Sequence, residues 1–225
     1  MRFVLASASP ARLRLLTAAG VTPEVIVSDV DEEALTASRR WAPVELVSAL
    51  ALAKAEAVAQ ALNTLESMLV LGCDSMLELD GEVLGKPTDA TEATSRWRQM
   101  RGRAGVLHTG HALIRLDAAT RTRITRTCST TVRFAEISDA EIDFYVASVE
   151  PLHVAGAFTI DGLGGWFVES IEGDHHNVVG LSLPALRQML GELGLTVADL
   201  PTSAVETGRA TQRQIPPRGR SAMAP

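Results

Sequence analysis

Two serines and an arginine near the amino terminus are the first residues whose spacing is typical of a ligand-binding site. Ser7, Ser9 and Arg12 follow the apolar residues 3–5, which are typical of a short buried strand. Ser9 is a good N-cap and Pro10 suits the first helical position, so a helix is expected to begin here. A helix N-terminus offers free N–H groups and partial positive charge, so this junction could hold an anion such as phosphate. The same pattern also fits an ordinary strand–helix unit whose serines only cap the helix.

Carboxylates occur at two places where a cation or a catalytic base would need them. Residues 29–33 hold four acidic side chains, which usually form a solvated loop, although Glu32 could turn inward to bind a divalent cation. Asp74 follows the apolar residues 68–71, which predict a strand that is covered on both faces and ends before the carboxylate. Ligands of α/β sheets bind at such strand ends, but a carboxylate there can equally cap a turn.

Two lysines are placed to meet these carboxylates. Lys54 lies on the apolar stripe of a helix expected over residues 44–62. A lysine on that side either pairs with an acid or points its ammonium group into a cleft. Lys86 follows a predicted hairpin, residues 76–84, whose Asp-Gly turn is typical of type I′. The hairpin would return Lys86 toward Asp74.

The composition narrows the class of protein. The chain has 225 residues, 46% of them hydrophobic and 21% charged, which is typical of a soluble enzyme and allows one sizeable α/β domain. Its net charge of −6 argues against nucleic acid as the main partner. Neither a signal peptide nor an apolar run of roughly 20 residues is recognised, so no membrane partner is expected. Cys73 and Cys128 cannot build a disulfide framework, so the expected location is the reducing cytoplasm.

The remaining patterns predict the strands and helices that carry these residues. Further strands are expected over residues 25–27, 106–116, 121–134 and 166–171. Further helices are expected over residues 89–101, 139–149 and 184–194. The glycine-rich residues 162–165 predict a tight loop that can lie close to a flat base. The folded domain is expected over residues 1–199, and residues 200–225 lack periodicity and are predicted to form a disordered tail.

Three blocks of sequence, in the same order, resemble the Maf family of nucleotide pyrophosphatases, once named for septum formation. The first is Leu-Ala-Ser-x-Ser-Pro-x-Arg at residues 5–12, and the second is Asp74 followed by Gly-Lys-Pro at residues 85–87. The third is Glu-Pro-x-x-x-Ala-Gly-x-x-x-Ile-x-Gly at residues 150–162. The resemblance covers about residues 2–195, but Ser182 stands where the family usually has a proline.

The resemblance implies a fold and an activity. The fold is a two-lobed α/β structure with an elongated mixed sheet flanked by helices, similar to inosine triphosphate pyrophosphatases. A nucleoside triphosphate would bind between the lobes and be cleaved between its α- and β-phosphates, and a homodimer is a further expectation. Asp74 would be the proton acceptor, and Glu32 would join it in binding Mg²⁺ or Mn²⁺. The residues implied to bind phosphate are Ser7, Ser9, Arg12, Lys54 and Lys86.

The resemblance also marks the residues that would read the base. Ala11, Ser75 and Asp161 occupy the three variable places. Similar proteins acting on thymidine or uridine triphosphate carry Arg, Thr and Gln there, and those acting on methylated guanosine triphosphate carry Trp, Gln and Glu. An ionised Asp161 can only accept hydrogen bonds, which suits the N1–H and amino group of guanine better than the carbonyls of thymine.

Two other functions fit the sequence. A nucleotide-binding regulator of cell division would bind nucleotide with little turnover, and a phosphosugar-binding enzyme would not respond to nucleotides. A pyrophosphatase is distinguished from both by the release of pyrophosphate from nucleotides in the presence of Mg²⁺ or Mn²⁺.

Overall fold

The computed structural model describes residues 1–62, 66–118 and 120–202, which form one mixed sheet with helices on its faces. The strands are β1 (Arg2–Ala6), β2 (Glu24–Val25), β3 (Met68–Leu79), β4 (Glu82–Leu84), β5 (Ala104–Asp117), β6 (Thr120–Phe134) and β7 (Val168–Glu172). The α-helices are α1 (Pro10–Ala18), α2 (Glu32–Ala37), α3 (Pro43–Ala61), α4 (Ala90–Met100), α5 (Asp139–Ala147), α6 (His175–Val179) and α7 (Leu183–Glu192). Short 3₁₀ turns cover Glu150–His153, Ala155–Ala157, Leu163–Phe167 and Val197–Asp199.

The sheet confirms the mixed α/β architecture. Its strand order is β2-β1-β3-β5-β6-β7, with β4 paired to β3 beside this path. Strand β1 runs parallel to β2 and β3, and every other pair is antiparallel. One hydrophobic cluster, around Trp97, covers the end of the sheet formed by residues 77–79 of β3. Two further clusters cover the two faces at the other end, around Leu71 and Val70. The long strands therefore run through both halves of the core.

Strand β3 is longer than the sequence predicts. It does not end before residue 72 but continues for 12 residues to Leu79. The reason is its partner β5, which pairs with it without a break from Met68 to Glu78, so the ladder persists after β1 has ended. Asp74 therefore lies within a strand and not at a strand end. The following hairpin is confirmed, and positive φ angles of 54° at Asp80 and 82° at Gly81 fit its type I′ turn.

A gap in strand pairing opens beside Asp74. Strand β5 occupies one edge of β3 throughout, so β1 and β4 share the other edge. Strand β1 pairs as far as Gly72, and β4 begins to pair at Leu77. Within the described part of the chain, residues 73–76 consequently have a strand partner on one side only. The loops that follow β1 and β4, residues 7–9 and 85–87, both leave the sheet at this gap, the kind of switch point at which α/β sheets bind ligands.

Most other predicted elements are present with shifted ends. The first helix has its predicted cap at Ser9 and its stop at Gly20, whose φ is 83°. The helix predicted over residues 139–149 ends at Ala147, and Val149 adopts a φ of 67°. The strand predicted to begin at residue 166 begins at Val168, because a 3₁₀ turn precedes it.

The carboxyl-terminal boundary also differs from the sequence prediction. Leu200, predicted to begin the tail, is 5% exposed within the core cluster around Leu71. The N–H of Thr22 donates to the Pro201 carbonyl at 2.8 Å, and Thr202 bridges to Val21. The rest of the predicted tail, residues 203–225, lies outside the described residues. Among the helices that are described, none is long and apolar enough to cross a membrane.

Candidate active site

Two glycines allow helix α3 to lie directly on the sheet. A Cβ atom on Gly72 would stand 2.2 Å from the Ala51 carbonyl oxygen, and one on Gly110 would stand 2.1 Å from the Val47 carbonyl oxygen. Gly110 is also the cross-strand partner of Asp74. The absence of side chains at both positions brings α3 close enough for Lys54 to reach the strand that carries Asp74.

Lys54 joins two carboxylates. Its Nζ donates to Asp74 Oδ1 at 2.6 Å and lies 2.9 Å from Glu32 Oε1. Lys54 and Asp74 are 8% and 7% exposed, whereas the side chain of Glu32 is about half exposed. Burial raises the pKa of Asp74, and the positive charges of Lys54 and Arg12 oppose that rise. The sequence allowed Lys54 either to pair with an acid or to point its ammonium group into a cleft. In the structure it pairs with an acid and lies beside the sheet gap.

Glu32 and Asp74 are suited to a hard divalent cation. Their oxygens already converge on one positive charge, the Lys54 ammonium group. In the part of the chain that the structure describes, no cluster of three or more His, Cys, Asp or Glu side chains could hold a metal ion. Mg²⁺ commonly takes only one or two carboxylates and completes its coordination with water and substrate phosphates, so this pair fits that donor set.

Arg12 is buried on the other face of the sheet without an acidic partner. Its Nε donates to the Gly180 carbonyl at 2.7 Å, and its two Nη atoms each donate at 3.0 Å, one to Ser7 Oγ and the other to Ser75 Oγ. Arg12 is 8% exposed and takes part in none of the ion pairs found among residues 1–62, 66–118 and 120–202. A buried cation held only by neutral acceptors favours the binding of an anion.

The loop after β1 is organised as the sequence predicts for an anion site. Ser9 caps α1 by accepting from the Arg12 N–H, and its own N–H donates to Ser7 Oγ at 3.2 Å. Ser7 Oγ therefore accepts from two donors, so its own hydroxyl hydrogen can be directed to a ligand. Ser7, Ser9 and Arg12 form one connected group at the start of the helix.

The two groups of side chains meet at the gap. Successive side chains of a strand point to opposite faces, so Asp74 faces α3 while Ser75 faces α1 and α6. No strand among the described residues lies along the outer edge of residues 73–76. A ligand that approached this edge would have Lys54 and Asp74 on one side of the sheet and Arg12 on the other.

Lys86 follows the strand that ends at the gap, and among the described residues it forms no hydrogen bond or ion pair with Asp74. Lys86 is exposed, two residues after β4, and has no ion-pair partner among the contacts of the described chain. Its predicted approach to Asp74 therefore stays a prediction.

The three predicted base-reading residues all lie around helix α1. Asp161 Oδ2 is 3.3 Å from Arg14 Nη2, and Arg14 lies one turn after Ala11 on that helix. Ser75 contacts the same helix through Arg12. The ion pair with Arg14 was not predicted from the sequence.

Glu150 holds the glycine-rich loop, a role that the sequence did not indicate. Its carboxylate accepts from the Tyr145 hydroxyl at 2.9 Å, the Thr159 hydroxyl at 3.0 Å and the Gly164 N–H at 2.9 Å. A Cβ atom on Gly162 would stand 2.5 Å from Glu150 Oε2, so a side chain at position 162 would displace this carboxylate. Burial alone would raise the pKa of Glu150, but the backbone and hydroxyl donors together lower it.

A shallow cavity of about 340 Å³ adjoins the Lys54 group. It lies between α2, α3 and β3 and is lined by Glu32, Glu33, Thr36, Ala37, Leu50 and Met76. A larger depression of about 510 Å³, around Phe3 and Pro201, includes none of the candidate site residues and is not connected with this chemistry.

Known proteins are similar in sequence to this chain over most of its length. A protein from Streptomyces avermitilis named nucleoside triphosphate pyrophosphatase is 58% identical over 199 residues, which cover 88% of this chain and 94% of that protein. A protein of the same name from Salinispora tropica is 54% identical over 202 residues, covering 89% and 87%. A solved structure of a nucleoside-triphosphatase, dITP/XTP pyrophosphatase, from Mycobacterium abscessus aligns with a TM-score of 0.39 at 17% identity, covering 86% of this chain and 98% of its own.

The family itself follows from the extent of the match. Residues 2–193 match the family described as Maf-like protein, and this range includes every candidate site residue named above. With more than half of the chain matched, and relatives above 50% identity over nearly their whole length, the chain belongs to the Maf-like protein family.

Proposed function

We propose that this protein is a nucleoside triphosphate pyrophosphatase, which hydrolyses the bond between the α- and β-phosphates and releases pyrophosphate and a nucleoside monophosphate. The observation that carries the proposal is the gap beside β3, where the buried cation Arg12 and the Lys54–Asp74 pair flank one unpaired strand edge. Cleavage of a phosphoanhydride requires positive charge around the phosphates and a group that positions water, and both are present here. The names of the relatives agree with this activity.

The residues at the gap divide the task between binding and proton transfer. Arg12, Ser7 and Ser9 would bind phosphate oxygens from one side of the sheet, Lys54 would add positive charge from the other, and Lys86 would add it from the loop after β4. Asp74 would orient the attacking water and accept its proton. Lys54 favours the ionised form of this buried carboxylate, as its role requires.

A divalent cation belongs to this proposal. Glu32 and Asp74 would hold Mg²⁺ or Mn²⁺, which when bound would neutralise charge on the phosphate oxygens. Because Lys54 already contacts both carboxylates, a bound cation would compete with its ammonium group for them. Calorimetric titration with Mn²⁺ should give binding in the native protein and much weaker binding after Glu32→Gln.

The preferred base is part of the proposal and rests on Asp161. This carboxylate only accepts hydrogen bonds, so we expect a guanine-type or amino-bearing base to be preferred over thymine by about tenfold to a hundredfold. Pyrophosphate release should be compared across canonical and methylated triphosphates, for the native protein and for Asp161→Gln. A native preference for dTTP or UTP that the substitution leaves unaltered would contradict this part of the proposal.

The proposed setting is a reducing cytoplasm. The described cysteines are both free, and Cys73 in β3 and Cys128 in β6 are separated by strand β5. An enzyme without a disulfide is compatible with that compartment.

The activity is tested by pyrophosphate release and by one pair of matched substitutions. Asp74→Asn should lower turnover by about two orders of magnitude or more and leave nucleotide binding largely intact, since a positioned base is lost. Asp117→Asn removes a partly exposed carboxylate at the end of β5 and should have little effect. Nucleotide binding without turnover in the native protein would favour a regulatory role, and near-normal turnover in Asp74→Asn would exclude Asp74 as the base.

A further inference from the structure

A closed ring of hydrogen bonds surrounds the side chain of Arg12. Arg12 Nε donates to the Gly180 carbonyl, and the Gly180 N–H donates to the Asn177 carbonyl at 3.0 Å. The Thr109 hydroxyl donates to the same Asn177 carbonyl at 3.0 Å. Ser75 completes the ring, with its Oγ 2.9 Å from Thr109 Oγ1 and 3.0 Å from Arg12 Nη2. Arg12 is thus connected to α6 in two ways, directly through the Gly180 carbonyl and indirectly through the hydroxyl groups of Ser75 and Thr109.

The direction of every hydrogen bond in this ring is determined. The Asn177 carbonyl can only accept, so Thr109 must donate its single hydroxyl hydrogen to it. Thr109 Oγ1 can then only accept from Ser75, which donates its own hydroxyl hydrogen to Thr109. Ser75 Oγ therefore offers only lone pairs to Arg12, which is the arrangement that a guanidinium group requires, because it has no acceptor of its own.

Among the contacts of the described residues, Arg12 keeps one N–H on each Nη atom that has no acceptor. Of its five N–H groups, three are used by Gly180, Ser7 and Ser75. Gly180 adopts a φ of 121°, and a Cβ atom there would stand 3.3 Å from Arg12 Nε, so a side chain at position 180 would crowd the guanidinium group.

We infer that Thr109 is a positioning residue for phosphate binding, which acts on Arg12 by fixing the hydroxyl group of Ser75 as an acceptor. Thr109 is buried in the middle of β5 and is separated from Arg12 by Ser75. The inference rests on the proposed function, because it assumes that the free N–H groups of Arg12 bind phosphate oxygens.

Thr109→Val keeps the shape of the side chain but removes the hydroxyl group. Ser75 is then free to rotate, and its hydrogen can point toward the guanidinium group. Binding of inorganic pyrophosphate, measured by calorimetry, should weaken by about tenfold, as expected for a disturbed hydrogen bond to a charged group. Thr109→Ser should restore binding to within about twofold, because it restores the hydroxyl group.

A control separates positioning from general support of α6. Thr130 is a buried threonine on β6 that bonds to Asp174 and to the Asn177 side chain, so it touches α6 but none of the hydrogen bonds of the ring. Thr130→Val should lower the melting temperature about as much as Thr109→Val and leave pyrophosphate binding unchanged. Equal loss of binding in the two variants would show that α6 as a whole is responsible and would overturn the inference.

The path through Ser75 is tested by a double substitution. If Thr109 acts only through Ser75, adding Thr109→Val to Ser75→Ala should weaken pyrophosphate binding no further, whereas independent effects would add. Additive losses would overturn the inference. If the native protein binds pyrophosphate but releases none from any triphosphate, the proposed function fails while the role of Thr109 is still decided by binding. If the native protein binds no pyrophosphate, both fail.

Discussion

Asp74 is subject to two opposing influences that a pH profile can separate. Burial raises its pKa, and Lys54 lowers it. A base acts only when ionised, so activity is lost as the pH falls through its pKa. We expect the acid limb of kcat/KM to inflect at the pKa of Asp74, which a bound divalent cation would move to lower pH.

Replacing the lysine should move this inflection. Lys54→Met removes the charge that favours ionised Asp74, so the inflection should shift to higher pH, in addition to any loss of phosphate binding. Arg115→Met removes a cation that pairs with Asp117 and should leave the inflection in place. An inflection that stays or moves down in Lys54→Met would contradict the assignment.

Single residues were predicted best where the signal is local. The cap formed by Ser9 and the stop at Gly20 depend on a few consecutive residues, and both are confirmed. The roles of Thr109 and Glu150 depend on strand register and on the path of a loop. Thr109 looks like an ordinary polar residue of a strand, and the block that begins with Glu150 does not say what its carboxylate binds, so nothing local could have indicated either partner.

At the scale of elements, the contact between α3 and the sheet determines the distance from Lys54 to Asp74. Gly110→Ala would place a Cβ atom 2.1 Å from the Val47 carbonyl oxygen and force the helix outward. We expect a loss of about 1–3 kcal/mol or more of unfolding free energy, together with lower turnover, measured by thermal unfolding and pyrophosphate release.

A second glycine provides the control for this prediction. Gly191 lies in α7, and a Cβ atom added there would have no neighbouring atom within 4 Å, so Gly191→Ala should stabilise the protein by about 0.5–1 kcal/mol. Its turnover should be unchanged. Wild-type stability and turnover in Gly110→Ala would show that α3 can move without consequence.

The glycine-rich loop depends on the charge of Glu150. The pKa of this group is lowered on folding, so its stabilising contribution is present in full above its unfolded pKa, about 4.3, and is lost as the pH falls through the folded pKa. Glu150→Gln should therefore lower the free energy of unfolding at pH 7, and the difference from the native protein should shrink as the pH falls below about 4.3. Urea unfolding at pH values from 7 down into the acid range measures this difference in unfolding free energy, and the exposed Glu169→Gln is the control. A difference that is independent of pH would show that charge is not responsible.

The continuity of β3 could not be predicted, for a physical reason. Residues 72–75, Gly-Cys-Asp-Ser, have neither the alternation nor the β-branched residues of a typical strand. They are extended because β5, some 35 residues later in the chain, pairs with each of them. The expected end of the strand was therefore wrong, although the expectation that Asp74 lies at a ligand-binding edge agrees with the gap in pairing.

At the scale of the whole molecule, the end of the fold can be located by truncation. A chain that ends at residue 202 should keep the melting temperature and turnover of the full protein, because the contacts of Leu200, Pro201 and Thr202 are retained. A chain that ends at residue 199 exposes the site of Leu200 and should melt several degrees lower, since burial of a leucine contributes about 1.5–3 kcal/mol. Equal melting temperatures for the two chains would place the boundary at residue 199.

The long strands have a consequence for how a substrate can be admitted. Strands β3, β5 and β6 contain 12, 14 and 15 residues and cross both halves of the core without interruption. A hinge between the halves would have to bend all three strands and break the hydrogen bonds between them, so the sheet resists bending. Adjustment to a ligand is then left to the segments that cover it, above all α2, which has no buried residue and carries Glu32 at its first turn. The architecture thus favours a preformed groove in which α2 adjusts to the ligand. It does not favour closure of two lobes about a hinge.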